Sequence, residues 1–471
     1  MITILYILVT AIFIYFVLLC AINLLLIVMG ATKVHDYNSK VAEGDFDHIS
    51  KSRVALPVSL IIPAHNEEAI IVGTVENTLN LDYPVHEVIV VDDGSSDETI
   101  ERLRKRFNLE PVERHKASEI KTHKVHAVYE SHDHPKLLVV SKENGRRADA
   151  INVGANLSRY PLLCVIDADC VLERDGLQHM ARPFFFDPDL AAAGGVVRPS
   201  NGLTTENGRI TGRRLPHSLL GLNQEIEYAR SFQWARIGLN RIHSMLCISG
   251  ALLLIKKSVF EEVGGSWPDA ITDDCEFTMR LHRHLFDRKH KRERNFRVAF
   301  IPDAISYTEV PEKFGQYFDQ RNRWQRGTMQ AIFRNWRMLF NPRYGASGLF
   351  GMPYFLIFEA LAPLVEFTAY VCAIILLIMG LTTWQQVLAL IFLAYATCIF
   401  LTMTALLITE TSRFRSTTWR EYWKMVLSVF VDNLGWHQIR VISSFWGTLQ
   451  YILLRRSDLG APMARAEHST T

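Results

Sequence analysis

The sequence predicts an α/β domain on a mostly parallel sheet, set between helical segments apolar and long enough to cross a bilayer. Three observations carry this expectation. Short apolar runs alternate with stretches of helical spacing between residues 58 and 166, the pattern of βαβ units. Long apolar runs occupy 2–29, 349–379 and 387–408, and a spanning helix needs roughly 20 such residues. Acidic groups stand directly after two of the predicted strands, as Asp92-Asp93-Gly94-Ser95 and Asp167-Ala168-Asp169.

The elements follow in order. Residues 58–63 (VSLIIP) form a short apolar run ended by proline, which predicts a buried strand. Residues 69–79 take helical spacing. A second strand, 87–91, runs straight into Asp92. Ser96 or Asp97 is placed to cap a helix that continues to Phe107. A strand at 137–140 precedes a helix over 147–158, and a strand at 162–166 ends at Asp167. In such sheets ligands bind beyond the carboxyl ends of the strands. Both acidic groups fall there.

The apolar runs set the membrane topology. The first, 2–29, lacks a basic leading region and is too long for the core of a signal peptide, so an anchoring helix is expected. Lys33, Lys40, Lys51 and Arg53 follow it, which puts the amino terminus outside and the next block in the cytoplasm. Pro353 and Pro363 interrupt 349–379 and predict an interfacial lead-in to a tilted or kinked span. The link 381–385 has no Lys or Arg, whereas Arg413, Arg415, Arg420 and Lys424 follow the third run. The link is therefore expected outside and the tail inside. Asp432, His437 and Arg440 interrupt 422–454, and Arg455-Arg456 close it. An interfacial amphipathic pair or a re-entrant hairpin is expected there. The layout is an N-terminal transmembrane helix at 1–32, a cytoplasmic domain with interfacial helices at 33–340, C-terminal transmembrane and interfacial helices at 341–456, and a cytoplasmic tail at 457–471. A net charge of +2 gives no case for a nucleic-acid partner. The 7 cysteines form no CxxC pair, so neither a disulfide framework nor a zinc site is indicated.

Specific residues carry the chemistry. Asp92 and Asp93, following a strand, can accept the N–H of uracil or ribose hydroxyls. The same string is also ordinary turn chemistry. Asp167 and Asp169 have the spacing for a hard divalent cation, Mg²⁺ or Mn²⁺, which prefers oxygen ligands and commonly bridges a carboxylate and substrate phosphates. Asp273 and Asp274 precede a helix expected to start near Cys275. They can cap it, or one of them can take a proton from an acceptor hydroxyl within about 3 Å. Arg323 can offset charge on a leaving diphosphate. Trp324 offers a ring face to a sugar, although Trp and Arg are also common on interfacial helices. Arg321 and Arg326 are candidates for phosphate or lipid headgroups. Ser249-Gly250-Ala251 suits close approach of backbone to an acceptor. Taken together, these residues point to glycosyl transfer at a membrane.

The strings Ile62-Pro63-Ala64-His65-Asn66-Glu67-Glu68, Asp92-Asp93, 143–152 (ENGRRADAIN), Asp167-Ala168-Asp169, Ser249-Gly250-Ala251, Asp273-Asp274 and Gln320-Arg321-Asn322-Arg323-Trp324 stand in one order across 58–327. In that order they resemble the GT-A nucleotide-sugar-binding fold of inverting family-two glycosyltransferases. More narrowly they resemble the membrane-embedded processive branch that makes cellulose, chitin, hyaluronan and poly-N-acetylglucosamine. The resemblance implies a UDP-sugar donor, a growing β-linked glycan as acceptor, and Mg²⁺ or Mn²⁺ as cofactor. It implies Asp169 as direct metal ligand, with Asp167 supporting metal and nucleotide. Asp274 becomes the general base, as the last acid of a Thr-Glu-Asp pattern. Here the middle position is the shorter Asp273, which leaves either of the pair able to act. Gln320, Arg323 and Trp324 form the Q-x-x-R-W pattern of the acceptor site. Related enzymes usually place lysine where Arg147 stands, and Arg147 would meet phosphate as a planar fork.

The expected protein is a membrane polysaccharide synthase of the plasma membrane, with N-acetylglucosamine as first sugar and glucose next. An accessory or export subunit is a further possible partner. Two other readings stay open: a non-processive transferase acting on a lipid or lipid-linked carrier, and a membrane-anchored binding protein with a degenerate transferase domain. His115, His123, His126, His132 and His134 are expected in a solvated loop. Residues 288–292, with Arg288, Lys289, His290, Lys291 and Arg292, are expected at solvent or lipid headgroups. Glu359 and Glu366, seven apart, share one helical face. They either line a sugar-conducting path or sit separately in the interface and a helix–helix contact.

Overall fold

The computed structural model describes residues 2–43, 55–290, 296–411 and 418–454. Lys51, Arg53, Lys291, Arg292, Arg413, Arg415, Arg455, Arg456 and the expected tail 457–471 lie outside the described residues. The chain divides into two compact units.

One unit comprises Asp36–Pro216 and Met245–Val310 and is built on a ten-stranded sheet. Its strands are β1 (Val58–Ala64), β2 (His86–Asp92), β3 (Leu109–Val112), β4 (Val125–Ser131), β5 (Leu137–Lys142), β6 (Leu162–Val165), β7 (Val171–Leu172), β8 (Leu190–Pro199), β11 (Leu253–Lys256) and β12 (Arg297–Thr308); β9 (Leu203–Glu206) and β10 (Arg209–Arg213) form a separate hairpin. The order is β3-β4-β5-β2-β1-β6-β11-β8-β12-β7. The four strands β5-β2-β1-β6 are parallel, as the early βαβ units predict. β11 then pairs antiparallel with both β6 and β8, and β3–β4–β5 is an antiparallel edge. The sheet is therefore mixed: beyond β11, β8 pairs in parallel with β12, and β12 pairs antiparallel with β7.

The physical reason for the four-stranded parallel run is visible in the residues. Every position of β1 and β2 is buried. Such strands read as near-continuous apolar runs because helices cover both faces. Helices Ile71–Leu79, Thr99–Phe107 and Arg146–Leu157 fall within about two residues of the predicted spans. Asp97 does serve the start of the second helix, its carboxylate accepting the Thr99 N–H at 3.0 Å.

The second unit comprises Met1–His35, His217–Ser244 and Pro311–Pro462. Thr3–Tyr37 and Trp384–Ile408 are long and apolar enough to cross a membrane. Ser347–Ala360 and Ala362–Ile378 pass the same test only as a pair, bent by 41° at Leu361. Pro363 stands in the first turn of the second helix of that pair, so the bend falls where a missing N–H costs least. Helices Trp419–Val431 and His437–Ile452 are joined through a π turn at Asp432–Trp436. Trp419, Trp423 and Leu427 leave one apolar stripe exposed on the first of these, the spacing of a single helical face.

Candidate active site

Register brings the first acids to one edge of the sheet. Ala64 pairs with Asp92, and Asp92 with Ser141, so β1, β2 and β5 finish together. Asp92 is buried, and its Oδ1 has no hydrogen-bond partner among the described residues. Burial raises its carboxyl above the ordinary range, against the opposing bonds from Ser95. Asp93 is held more fully. Its Oδ1 accepts the Gly145 N–H at 2.9 Å and also the Lys142 ammonium. Lys142 is completely buried and lies 2.9 Å from Asp149 Oδ2. Gly94 turns the chain at φ +67°, and a Cβ there would stand 2.9 Å from the Asn144 nitrogen. Both the angle and the space require glycine.

The helix Arg146–Leu157 begins at this same edge. Arg147, in its first turn, forks to three acceptors. Nε donates to Asp167 Oδ1 at 2.7 Å, Nη1 donates to Asp273 Oδ2, and Nη2 donates to the Gly250 carbonyl at 3.0 Å. A Cβ on Gly250 would lie 2.5 Å from Nη2, so the fork requires glycine there. Burial disfavours the cation, but Asp167, Asp273 and Asp274 outweigh burial and raise the Arg147 pKa above its ordinary value. Asp274 lies alongside: Oδ2 accepts the Gly250 N–H at 3.3 Å and Oδ1 accepts the Cys275 N–H at 2.8 Å. The helix here starts at Asp273, not Cys275. Both acids therefore sit in its first turn, where negative charge is favoured.

Asp167 and Asp169 follow β6. Asp169 is buried, and its Oδ2 accepts the Thr308 hydroxyl at 3.2 Å. Asp167, Asp169 and Cys170 each offer one ligand atom within 4.8 Å of the others; among the described residues they are the group that could share an ion. A hard cation selects the two carboxylates over sulfur. Burial and its two acidic neighbours raise the Cys170 thiol well above its ordinary pKa. The oxygen pair Asp167 and Asp169 fits Mg²⁺ or Mn²⁺.

The structure thus gathers Asp167, Asp169, Arg147, Gly250, Asp273 and Asp274. Asp93 joins them through Gly145, the residue before their helix. Ser249 opens a turn, its carbonyl accepting the Leu252 N–H at 3.2 Å. Four residues not anticipated as site members complete the set. Lys142 and Gly145 hold Asp93, Asp149 shares Lys142, and Thr308 holds Asp169. A lysine closing an apolar strand, directly before Glu143-Asn144-Gly145, was the available clue for the first.

Gln320, Arg323 and Trp324 belong to the other unit, on helix Phe314–Arg334. Arg321 donates from Nη1 to Gln320 Oε1 at 2.8 Å, and its guanidinium carbon stands 4.2 Å from the Trp324 ring centre. The expectation that Arg321 and Arg326 meet phosphate or headgroups is corrected. Both are buried: Arg321 pairs with Glu227 at 2.7 Å, and Arg326 donates to Asn322 at 2.9 Å. His126 is likewise not in a loop but within β4. Glu366 faces His437 at 2.8 Å and Glu359 lies 3.4 Å from the Tyr354 hydroxyl.

Residues 56–327 match the family model described as "Glycosyltransferase like family 2". That match covers more than half of the chain, and the chain belongs to this family of glycosyltransferases. Residues 241–451 match the model described as "Chitin synthase". Among curated relatives, a poly-beta-1,6-N-acetyl-D-glucosamine synthase of Staphylococcus aureus (strain COL) is 29% identical over 278 residues, 59% of this chain and 56% of the relative. The synthase of the same name from Staphylococcus epidermidis is 27% identical over 317 residues, 67% of this chain and 63% of the relative. The chain thus spans somewhat more than half the length of the curated relatives it matches. Among solved structures, a mannosyltransferase from Pyrobaculum calidifontis in complex with GDP-Man and Mn²⁺ is 19% identical. It matches with a TM-score of 0.49 over 88% of this chain and 99% of its own.

Proposed function

We propose that the protein is a membrane polysaccharide synthase that transfers N-acetylglucosamine from UDP-N-acetylglucosamine, with inversion, to a growing β-linked glycan. The observation that carries this reading is the joined set of Asp167, Asp169, Arg147, Asp273, Asp274 and Gly250 at the carboxyl edge of the sheet. The sugar follows from the names of the synthases to which the chain is similar.

In this reading Asp92 and Asp93 hold the uridine. Asp93 has one oxygen committed to Lys142 and Gly145, which fixes its orientation before the donor arrives. Asp92 brings a buried acceptor without a partner to the same edge. Asp169 and Asp167 would hold Mg²⁺ or Mn²⁺, which when bound supplies positive charge beside the diphosphate. Asp274 takes the proton from the acceptor hydroxyl, and Asp273, tied to Arg147, is its structural neighbour and not the base. Ser249 and Gly250 border the space where the acceptor hydroxyl must come. Gln320, Arg323 and Trp324 serve the acceptor and the leaving diphosphate. Catalysis is then mainly positioning and preorganised charge. The apolar helices anchor the enzyme in the plasma membrane with the site in the cytoplasm, and the product leaves outward, with or without an export subunit.

The test is direct. Purified protein is supplied with a panel of UDP-sugars and with Mg²⁺, Mn²⁺ or a chelator. UDP release with UDP-N-acetylglucosamine, dependent on the ion, together with polymer resistant to lipid extraction, supports the proposal. Release with a different sugar, or a single sugar transferred to lipid, overturns it.

A further inference from the structure

Helix Phe314–Arg334 carries an internal support that the acceptor pattern does not include. Arg321 stands between Gln320 and Trp324 in sequence, and its side chain touches both. Nη1 donates to Gln320 Oε1 at 2.8 Å, while the guanidinium plane covers Trp324 at 4.2 Å and Tyr317 at 4.6 Å. Positions 317, 321 and 324 share one helical face, so Arg321 is clasped between two rings. The charge is answered by Glu227 Oε2 at 2.7 Å, the single carboxylate paired with it among the described residues. That same oxygen lies 3.2 Å from Arg440 Nη1. Burial alone would push the Glu227 carboxyl upward; the two guanidiniums outweigh it and hold it below the ordinary carboxylate value. Arg440 in turn meets His437 at 2.9 Å, and His437 meets Glu366 at 2.8 Å. One chain of polar contacts therefore runs from the apolar helix Ala362–Ile378 to the ring of Trp324. All of these residues belong to one compact unit.

A buried ion pair recovers little net stability compared with apolar packing. Its geometric specificity is the larger effect: a planar guanidinium fixed at one end by a carboxylate presents a fixed face to the ring at the other. We propose that Glu227 and Arg321 are positioning residues for the acceptor site, setting the ring plane of Trp324 and the amide of Gln320. Neither touches the sugar; both act through the two residues that do. The inference rests on the reading that Trp324 and Gln320 hold the acceptor terminus.

The experiment measures KM for a soluble β-linked N-acetylglucosamine oligosaccharide primer and, separately, KM for UDP-N-acetylglucosamine, in the full-length protein. Glu227→Gln is expected to raise the primer KM by about tenfold, the scale on which sub-ångström misplacement is felt, while the donor KM changes by less than about twofold. The double variant Glu227→Gln/Arg321→Met removes both ends of the Arg321 pair, the change that buried pairs often tolerate, and Arg440, which shares the Glu227 oxygen, keeps His437 at 2.9 Å and Asp432 at 3.9 Å. It covers the case in which the single variant fails to fold. The double variant is expected to fold and to show the same split. Trp324→Ala is measured in parallel. Folded Glu227 variants with unchanged primer KM, beside a Trp324→Ala variant with a raised one, overturn the positioning role alone. An unchanged primer KM in Trp324→Ala removes the acceptor reading, and the inference with it. Equal rises in donor and primer KM would also overturn it, since they report general damage.

Discussion

Replacing Arg147 by lysine tests the site at its junction. The guanidinium makes three bonds in three directions, to Asp167, Asp273 and the Gly250 carbonyl. A lysine ammonium is one point on a flexible stem and cannot span both carboxylates and the carbonyl from that helix position. Hydrogen bonds to charged groups contribute about 1.5–3 kcal/mol each when buried. Here the side chains of Arg147 and Asp167 are 30% and 32% exposed, and that of Asp273 is 17% exposed, so screening lowers the figure to about 1 kcal/mol per lost contact. Two lost contacts give about 2 kcal/mol, or a fall of about thirtyfold in kcat/KM if the fork matters fully in the transition state. UDP release at limiting UDP-N-acetylglucosamine measures it. The decisive form is a cycle with Asp273→Asn: Arg147→Lys, Asp273→Asn and the double variant. Residues in direct contact should be non-additive by about 1 kcal/mol. Additivity within about 0.3 kcal/mol would refute the argument that Arg147 works through Asp273.

Two further outcomes follow from the same geometry. Gly250→Ala places a Cβ 2.5 Å from Arg147 Nη2. The tip of an arginine could normally yield, but this one is fixed by two acids, so turnover should fall by about tenfold with little change in melting temperature; an unchanged rate would mean that the fork is dispensable. His86 carries a pH dependence of stability. Burial pushes its pKa from the ordinary 6.5 down to about 4, helped by Lys136 and opposed by the carbonyls of Tyr83 and Thr78. It is neutral in the fold, while the unfolded chain binds a proton below 6.5, so stability is lost as pH falls from about 6.5 to about 4. At about 1.36 kcal/mol per pH unit that loss reaches about 3 kcal/mol. Thermal unfolding in detergent between those pH values should be steeper for the parent than for His86→Gln; identical slopes would contradict the assignment.

The parts legible in the sequence were those with a local cause. Residues 58–63 and 87–91 are buried throughout because both sheet faces are covered, and they are apolar apart from Ser59 and Glu87, which bond to each other at 2.6 Å; Asp92 marks the edge at which β2 stops. Pro363 announced the break at Leu361, whereas Pro353 lies within the helical stretch before it. The mixed half of the sheet, where β8 pairs antiparallel with β11 and in parallel with β12, left no such trace. β8 reads LAAAGGVVRP, and alanine and glycine are poor strand formers, yet all ten positions are buried between neighbours distant in sequence. β4, second in the sheet between the short β3 and β5, carries exposed His126 and Glu130, which breaks the apolar pattern of a strand. The site acids were visible by type and order. Their connections were not, since nothing local ties Arg147 to Asp273 or Arg321 to Glu227. Those contacts arise only when the strands bring remote segments together.

In the proposed function, Asp274 removes the acceptor proton beside a donor site built from Asp92, Asp93, Asp167 and Asp169. The most direct measurement pairs two readings on Asp274→Asn: UDP-N-acetylglucosamine affinity by calorimetry with Mn²⁺, and polymer synthesis with the same preparation. Synthesis should fall by about 10²–10⁴-fold, with donor affinity within about threefold of the parent. Synthesis close to the parent rate, from a variant that still binds donor, would contradict it.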